Sequence, residues 1–226
     1  FSGAAVNDLL QSECAVLRFS NAPIHTTLPV NPPENGPVTI QVLTEKQIQR
    51  ALLVELKSTQ GDDSVDIAMF YLSENDVVRE IIQAHRRGVR VRVLLDPNKD
   101  AFGYKKNGIP NRTVAARLTR AGIVVRWFDT HGEQGHSKML HIHRGDGDTL
   151  ILGSANFTRR NLENFNLETN VAIRGPADSA VLRDATTYFD RVWRQPVSAS
   201  YKKFSGDTLL RRFFGGLLEF TGLGTF

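Results

Sequence analysis

The sequence lacks the features that mark disulfide-stapled, membrane-spanning and secreted proteins. Its 226 residues include one cysteine, Cys14, which excludes an internal disulfide. No run approaches the roughly 18 apolar residues of a membrane-spanning helix, and the N-terminus lacks the pattern of a signal peptide. There is no tandem repeat or low-complexity tract. What remains is an ordinary globular composition, 41% hydrophobic, that can bury the core of one large domain.

The chain is weakly basic. Its net charge of +4 favours anionic partners, which include nucleic acids and acidic lipids. The sign of the charge agrees with a phosphate-containing ligand, but it does not distinguish between these two classes.

Composition divides the chain into three parts. Prolines concentrated between residues 21 and 37 mark residues 1–37 as a linker or surface extension, in which the first 19 residues allow a short helix. Residues 38–195 are the predicted domain, and residues 196–226 are a basic and aromatic tail. Because the chain starts at Phe1 with no methionine, we interpret it as a processed or excised piece of a longer protein.

The hydrophobic pattern of the domain predicts alternating strands and helices. Short apolar runs rich in β-branched residues alternate with segments whose apolar residues recur at helical spacing. The predicted strands are 38–43, 65–72, 89–95, 123–128, 139–143, 149–152 and 167–173, and the predicted helices are 45–57, 73–87 with Ser73 as its cap, 113–121 and 177–193. This order predicts an α/β fold with βαβ crossovers and a parallel sheet.

Two neighbouring segments carry the residues of a phosphate site. Residues 136–138 (His-Ser-Lys) precede a predicted hairpin, and residues 153–156 (Gly-Ser-Ala-Asn) follow it, so the hairpin brings them together. Since side chains alternate along a strand, His136 and Lys138 are predicted to project from one face and Ser137 from the other.

The side chains suit phosphoryl transfer. Lys138 can neutralise a phosphate oxygen, and Ser154 and Asn156 can donate hydrogen bonds to others, which leaves His136 as the nucleophile. A carboxylate should hold the imidazole in the correct tautomer, and Glu168 is our candidate for it. Arg159 is a further candidate for binding the substrate phosphate, with a solvated charged turn as the alternative.

These residues resemble the phospholipase D superfamily, whose motif is HxKxxxxDxxxxxxGSxN. The chain departs from it in two ways: His143 stands where the motif has aspartate, and three extra residues lie between the histidine and the glycine. Asp146 or Asp148 takes the place of the aspartate, or nothing does. Because position 143 has the opposite parity to 136 and 138, we expect the change to affect support of the strand more than the chemistry.

The resemblance implies an α/β/α sandwich with a mixed, mostly parallel central sheet. It further implies a two-step phosphodiester exchange in which His136 forms a covalent phosphohistidine. A second copy of the motif is then required, supplied either by a missing half of a longer chain or by a homodimer mate. No cofactor and no metal are expected, since the charge of Lys138 does the work of a metal ion and the neighbouring histidines His141 and His143 face away from His136.

The tail suggests the substrate class. Residues 201–226 mix lysine and arginine with phenylalanine and leucine, a composition that suits a membrane interface or docking onto a partner. We therefore expect a phospholipid substrate and an enzyme similar to bacterial phospholipase D and cardiolipin synthase, located in a bacterial cell either peripherally on a membrane or in the cytoplasm. A nuclease of the same fold and a non-catalytic domain that has kept the fold are the alternatives.

Overall fold

The computed structural model describes residues 4–23, 36–97, 100–101, 104–105, 108, 110–129, 133–194 and 198–200. The strands in these ranges are β1 (Thr39–Thr44), β2 (Ser64–Met69), β3 (Arg90–Leu95), β4 (Asp100–Ala101), β5 (Tyr104–Lys105), β6 (Val124–Phe128), β7 (Lys138–His143), β8 (Asp148–Gly153), β9 (Thr169–Gly175) and β10 (Ser198–Ser200). The helices are α1 (Ala5–Phe19), α2 (Lys46–Lys57), α3 (Asn75–Arg86), α4 (Asn111–Arg120), α5 (Arg159–Leu162) and α6 (Ala180–Arg194).

One mixed sheet organises these elements, with the strand order β1-β9-β8-β7-β2-β3-β6-β10. Strands β2, β3 and β6 run parallel, because α3 and α4 each return the chain to the same edge before the next strand begins. The pairings of β7 with β2 and β8, of β9 with β8 and β1, and of β10 with β6 are antiparallel. The short strands β4 and β5 form a separate pair.

The predicted α/β fold with a mixed sheet is confirmed, but fewer strand pairs are parallel than expected. Among the described strands of the large sheet, two of the seven pairings are parallel. The alternating pattern predicted β1, α2 and β2 as a parallel unit. In the structure β1 instead pairs antiparallel with β9, with Val42 opposite Val171. Apolar runs show that a segment is extended, but they do not specify which strand lies beside it.

Helices cover both faces of the sheet and define two cores. On one face, α2, α3 and α4 pack against alternate strand residues through side chains such as Leu52, Ile81 and Leu118. On the other face, Leu182 and Phe189 of α6 pack against the intervening residues. This is the three-layer α/β/α arrangement that the family resemblance implied, and the alternation along each strand assigns its side chains to one core or the other.

Two local features differ from the sequence prediction. Helix α3 begins at Asn75 and its cap is Glu74, whose Oε2 accepts a hydrogen bond of 2.7 Å from the backbone N–H of Val77; Ser73 was predicted in this role. The large sheet also continues beyond residue 195, because β10 pairs with β6. A serine and a glutamate in succession both offer a capping oxygen, so composition alone does not place the helix start within one residue.

The N-terminal segment contributes a helix to the fold. Helix α1 lies against β1, where the backbone N–H of Val42 donates to Asp8 Oδ2 at 3.3 Å. Most of the predicted tail, residues 201–226, lies outside the described residues. Over the part of the chain that the structure describes, no helix combines the length and apolar character needed to cross a membrane.

Candidate active site

The first residues of β7 present their side chains alternately to the two faces of the sheet. The backbone N–H of Phe70 donates to the carbonyl of Ser137 at 2.8 Å, which extends the β2–β7 pairing back past Lys138. The Ser137 hydroxyl shares a 2.6 Å hydrogen bond with Tyr188 on α6, so it points to the α6 face. His136 and Lys138 point to the opposite side, as their parity predicted.

His136 and Lys138 are in direct contact. Lys138 Nζ lies 3.2 Å from Nδ1 and 3.3 Å from Nε2 of His136, and it also lies 3.3 Å from the His136 carbonyl oxygen. An ammonium can only donate, so a hydrogen bond to the ring requires an unprotonated nitrogen. Partial burial, followed by the Lys138 charge, lowers the pKa of His136 below 6.5. The imidazole is therefore neutral at pH 7, as a nucleophile must be, and its side chain is exposed.

Lys138 itself sits in a half-buried position between a ring and a carboxylate. Burial lowers the pKa of Lys138, and the charge of Glu168 opposes that shift. The ammonium lies 5.3 Å from the centroid of the Phe70 ring, and the same ring lies 4.6 Å from the imidazole of His136. Phe70 thus forms an apolar wall beside both residues and holds a positive charge close to its π face.

Buried polar side chains fix the position of the backbone at the start of β7. Asp96, at the end of β3, accepts a 2.7 Å hydrogen bond from the backbone N–H of Gly135. The side-chain amide of Asn111 donates to the carbonyls of Asp96 and Phe70, and its oxygen accepts from Leu72 N–H at 2.9 Å. Because Asn111 joins the ends of β2 and β3, the backbone next to His136 is held from both sides.

The segment from Gly153 to Asn156 returns beside the histidine by the predicted hairpin. A Cβ added to Gly153 would lie 2.5 Å from Asn170 Cα, so the close pairing of β8 with β9 at this point requires glycine. Asn156 Oδ1 accepts from the backbone N–H of Tyr71 at 3.3 Å. This contact orients the side chain and leaves the amide nitrogen as the group that can donate to a ligand.

Glu168 has different partners from those that the sequence analysis predicted. Its carboxylate, 8% exposed, accepts hydrogen bonds from the hydroxyl of Ser154 and from the side-chain amide of Asn161. Ser154 Oγ also accepts from the backbone N–H of Thr169 at 3.0 Å. The carboxylate therefore holds the Gly-Ser-Ala-Asn segment in place, and its charge acts on Lys138. It does not contact the His136 ring, which the sequence analysis predicted it would orient.

The Arg159 side chain already has partners within the short segment that follows Asn156. Its Nε donates to Glu163 Oε2 at 2.9 Å, and its guanidinium lies 5.7 Å from the Phe165 ring centroid. Binding of phosphate by Arg159 stays a prediction.

His143 faces the opposite side of the sheet from Lys138, as its parity predicted. Its Nδ1 lies 2.8 Å from Asp148 Oδ2 and its Nε2 lies 3.0 Å from Asp66 Oδ2. Of the two aspartates proposed to replace the missing motif residue, the buried Asp148 is the one that contacts this histidine. His131, another histidine near the motif, lies outside the described residues.

Sequence reasoning missed the residues that support the site from other segments. Phe70, Asp96 and Asn111 come from the ends of β2 and β3 and from the start of α4, and none belongs to the motif. A usable signal was present, because parallel strands end at the same edge of a sheet and polar residues directly after them meet there.

A family profile described as "Cardiolipin synthase, PLD-like domain" matches residues 52–193. The range includes both motif segments and the strands that position them. It leaves out α1, β1 and the C-terminal tail.

Similar sequences come from animals and viruses. The chain is 29% identical over 161 residues to a mitochondrial cardiolipin hydrolase of Xenopus tropicalis, which is 71% of this chain and 68% of that protein. It is 32% identical to the human mitochondrial cardiolipin hydrolase, over 62% of this chain and 50% of that protein. A virion nicking-joining enzyme of vaccinia virus is 31% identical over 58% of this chain and 30% of its own length. The match thus spans about half to two thirds of the cardiolipin hydrolases and less of the viral protein.

Solved structures share the fold at low sequence identity. Nuc of Salmonella typhimurium, a phospholipase D family member, superposes with a TM-score of 0.56 at 20% identity, over 73% of this chain and 98% of that one. A phosphatidylserine synthase of Haemophilus influenzae gives 0.58 at 11% identity, over 94% of this chain and 52% of that one.

The close approach at Gly153 predicts a stability effect. Gly153→Ala places a methyl group against the backbone of β9, and we expect it to lower the free energy of unfolding by about 1–3 kcal/mol. The matched control is Gly145→Ala in the β7–β8 turn, where a Cβ meets nothing within 4 Å and the change should stay within about 0.5 kcal/mol. Urea unfolding of both variants is the measurement, and equal effects would contradict the packing described here.

The contact between Lys138 and His136 predicts a shift in titration. In Lys138→Met the positive charge is lost, so the pKa of His136 should rise toward 6.5 and the protonated fraction at pH 7 should increase. NMR titration of the His136 ring protons measures this pKa directly. Lys57→Met, which removes an exposed lysine at the end of α2, is the control. A pKa of His136 that is unchanged or lower in Lys138→Met would show that the ammonium does not act on the ring.

Proposed function

Because the chain belongs to the phospholipase D superfamily, we propose that it is a phosphodiesterase or phosphatidyltransferase that acts on phospholipids through a covalent phosphohistidine at His136. The observation that carries the proposal is the contact of the exposed His136 imidazole with the Lys138 ammonium at 3.2 Å. A ring nitrogen is available to attack phosphorus, and Lys138 is close enough to neutralise the oxygens that gain charge.

The proposed reaction has two displacements. In the first, a nitrogen of His136 bonds to phosphorus while the bond from phosphorus to the leaving alcohol breaks, and a histidine of a second motif donates a proton to that alcohol. In the second, water or another alcohol loses a proton to the second histidine and displaces His136. The side-chain amide of Asn156 lies on the adjacent segment and is proposed to bind a phosphate oxygen. Ser154 is proposed to do so only if its hydroxyl proton moves from Glu168 to the phosphate.

Glu168 has a positioning role in this proposal. Its carboxylate holds Ser154 and supports the charged state of Lys138, so its removal should disturb phosphate binding more than the attack itself. Within this chain the described residues supply one copy of the motif. The second copy is proposed to come from the rest of a longer protein or from a second copy of this chain.

Two observations favour a lipid substrate. The family description and the curated relatives both refer to cardiolipin. The sequence of the tail, with lysines, arginines and phenylalanines interspersed between residues 201 and 226, has the composition of a segment that lies in a membrane interface. Peripheral attachment to a membrane is accordingly part of the proposal. Residence in a bacterial cell stays a prediction, since relatives at comparable identity come from animals and viruses.

Cleavage of nucleic acid is the second candidate, and a virion nicking-joining enzyme is among the similar proteins. A groove between α3 and α4 is lined by four arginines, namely Arg79, Arg86, Arg117 and Arg120. Such a groove suits a phosphate backbone, and because it lies at the C-terminal ends of both helices, it would contact a polynucleotide away from the phosphate that His136 attacks.

Parallel assays on the full chain test the proposal. The chain is incubated with cardiolipin vesicles and, separately, with labelled single-stranded DNA, while its mass in solution is measured at the assay concentration. We expect phosphatidic acid and phosphatidylglycerol from cardiolipin, with the rate reduced at least about 10³-fold in His136→Asn because the nucleophile is lost. His85→Asn, which removes a histidine at the end of α3, is the matched control and should retain activity.

Other outcomes of these assays separate the alternatives. Cutting of DNA that requires His136, with cardiolipin intact, would replace the lipid proposal with the nuclease. If a dimeric preparation leaves both substrates intact, the domain is non-catalytic in this form and the proposal is wrong.

A further inference from the structure

A second cluster of reactive side chains lies at the opposite end of β7 from His136. His141 and His143 of β7 meet Asp148 of β8 and Asp66 of β2 on the face of the sheet that α6 covers. His141 Nε2 lies 3.0 Å from Asp148 Oδ2, and His143 Nδ1 lies 2.8 Å from the same oxygen. The two imidazole rings are tilted against each other with centroids 4.0 Å apart.

His141 is the unusual member of this cluster. It is completely buried, and neither of its ring nitrogens makes a hydrogen bond to a residue in the described part of the chain. A buried imidazole without a hydrogen bond is costly, because the ring loses its contacts with water and gains none in return. Its Nε2 nevertheless lies 3.0 Å from Asp148 Oδ2, close to the other members of the cluster but out of line for a hydrogen bond.

A chain of charged contacts from the neighbouring strands β2 and β3 orients His143. Arg92 binds Asp66 with two hydrogen bonds of 2.6 Å, and Asp66 Oδ2 lies 3.0 Å from His143 Nε2. Asp66 therefore orients the His143 ring through Nε2. Metal-binding histidines are commonly oriented by such a carboxylate. His143 Nδ1 lies 2.8 Å from Asp148 Oδ2, so either a proton or a bound metal ion must join these two atoms.

We propose that His141, His143 and Asp148 bind a divalent transition-metal ion of the zinc class. Each of the three side chains places one ligand atom within 4.8 Å of the other two. Bonds of about 2.0–2.2 Å in a tetrahedral site put neighbouring ligand atoms about 3.3–3.6 Å apart, so the contacts of 2.8 and 3.0 Å would lengthen by roughly half an ångström when the ion binds. A set of two imidazoles and one carboxylate binds zinc in preference to magnesium or calcium.

The site has a path for the ion and a structural role. The side chain of His143 is 23% exposed, which opens the otherwise buried cluster to solvent. A metal ion bound there would cross-link β7 and β8, the strands that carry the two halves of the phospholipase D motif. The site depends on the residue by which this chain departs from the motif, because the expected aspartate at position 143 would not supply the second imidazole.

Zinc binding to the full chain tests this proposal. The chain is freed of any affinity tag, stripped with EDTA and dialysed, and its Tm is then measured with increasing Zn²⁺. We expect one zinc per chain by elemental analysis and a rise in Tm of about 5–10 °C at a zinc concentration about 100-fold above the Kd. Replacement with Co²⁺ should produce the visible absorption bands of a tetrahedral site.

Three variants make the result specific. His143→Gln can still donate a hydrogen bond to Asp66 but loses the nitrogen ligand, and Asp148→Asn keeps its shape while it loses the charge. In both, the zinc-dependent rise in Tm and the cobalt bands should disappear, while His85→Gln, which removes a histidine outside the cluster, should retain them. The proposal is overturned if the native chain shows no stoichiometric zinc and no rise in Tm, or if the rise persists in both cluster variants. Either result would mean that protons on the histidines, and no metal ion, hold the cluster together.

Discussion

The structure depends on the alternation of side chains at the start of β7. Because Ser137 is bonded to Tyr188 on the α6 face, His136 and Lys138 must share the other face, where the ammonium lies against the imidazole. That contact underlies the proposed chemical roles of both residues. Partial burial and the charge of Lys138 lower the pKa of His136 and so favour the unprotonated ring. The ring in turn positions the ammonium beside the place proposed for a phosphate oxygen. The remaining features of the site hold the start of β7 in place.

The parts of the fold that follow from local rules were predictable from the sequence. Two β-favouring runs around the Gly-Asp-rich residues 144–148 implied a hairpin, and the parity of positions 136, 138 and 143 placed Lys138 and His143 on opposite faces, as the structure has them. Strand and helix positions agree to within a few residues. Each of these properties depends on residues close together in the chain, which is why periodicity and turn composition could identify them.

Long-range pairings were not predictable in the same way. Glu168 was expected to orient His136, but it binds Ser154 and Asn161, because the register of β9 against β8 decides which side chains it can reach. The position of β1 beside β9 was missed for a similar reason. Asn111 gives no local sign that it joins the ends of β2 and β3, since its partners are backbone atoms far away in the sequence.

Strand β7 links two different chemical environments in this protein. Its first residue lies in the candidate active site, and its last residues lie in the cluster of histidines and aspartates on the other face. The histidine at the motif's aspartate position therefore contributes to the support of β7, and it lies away from the end that carries His136 and Lys138. Asp66 of β2 contacts His143 directly, and Arg92 of β3 holds Asp66.

The central claim is that His136 becomes covalently bonded to phosphorus during turnover. The most direct measurement is to mix the chain with cardiolipin, to stop the reaction with alkaline denaturant within the first turnovers, and to locate the adduct by mass spectrometry of the peptide that contains residue 136. The account predicts a phosphatidyl group on His136, and no such adduct in His136→Asn. An adduct on another residue, or continued cleavage of cardiolipin with no adduct on His136, would contradict it.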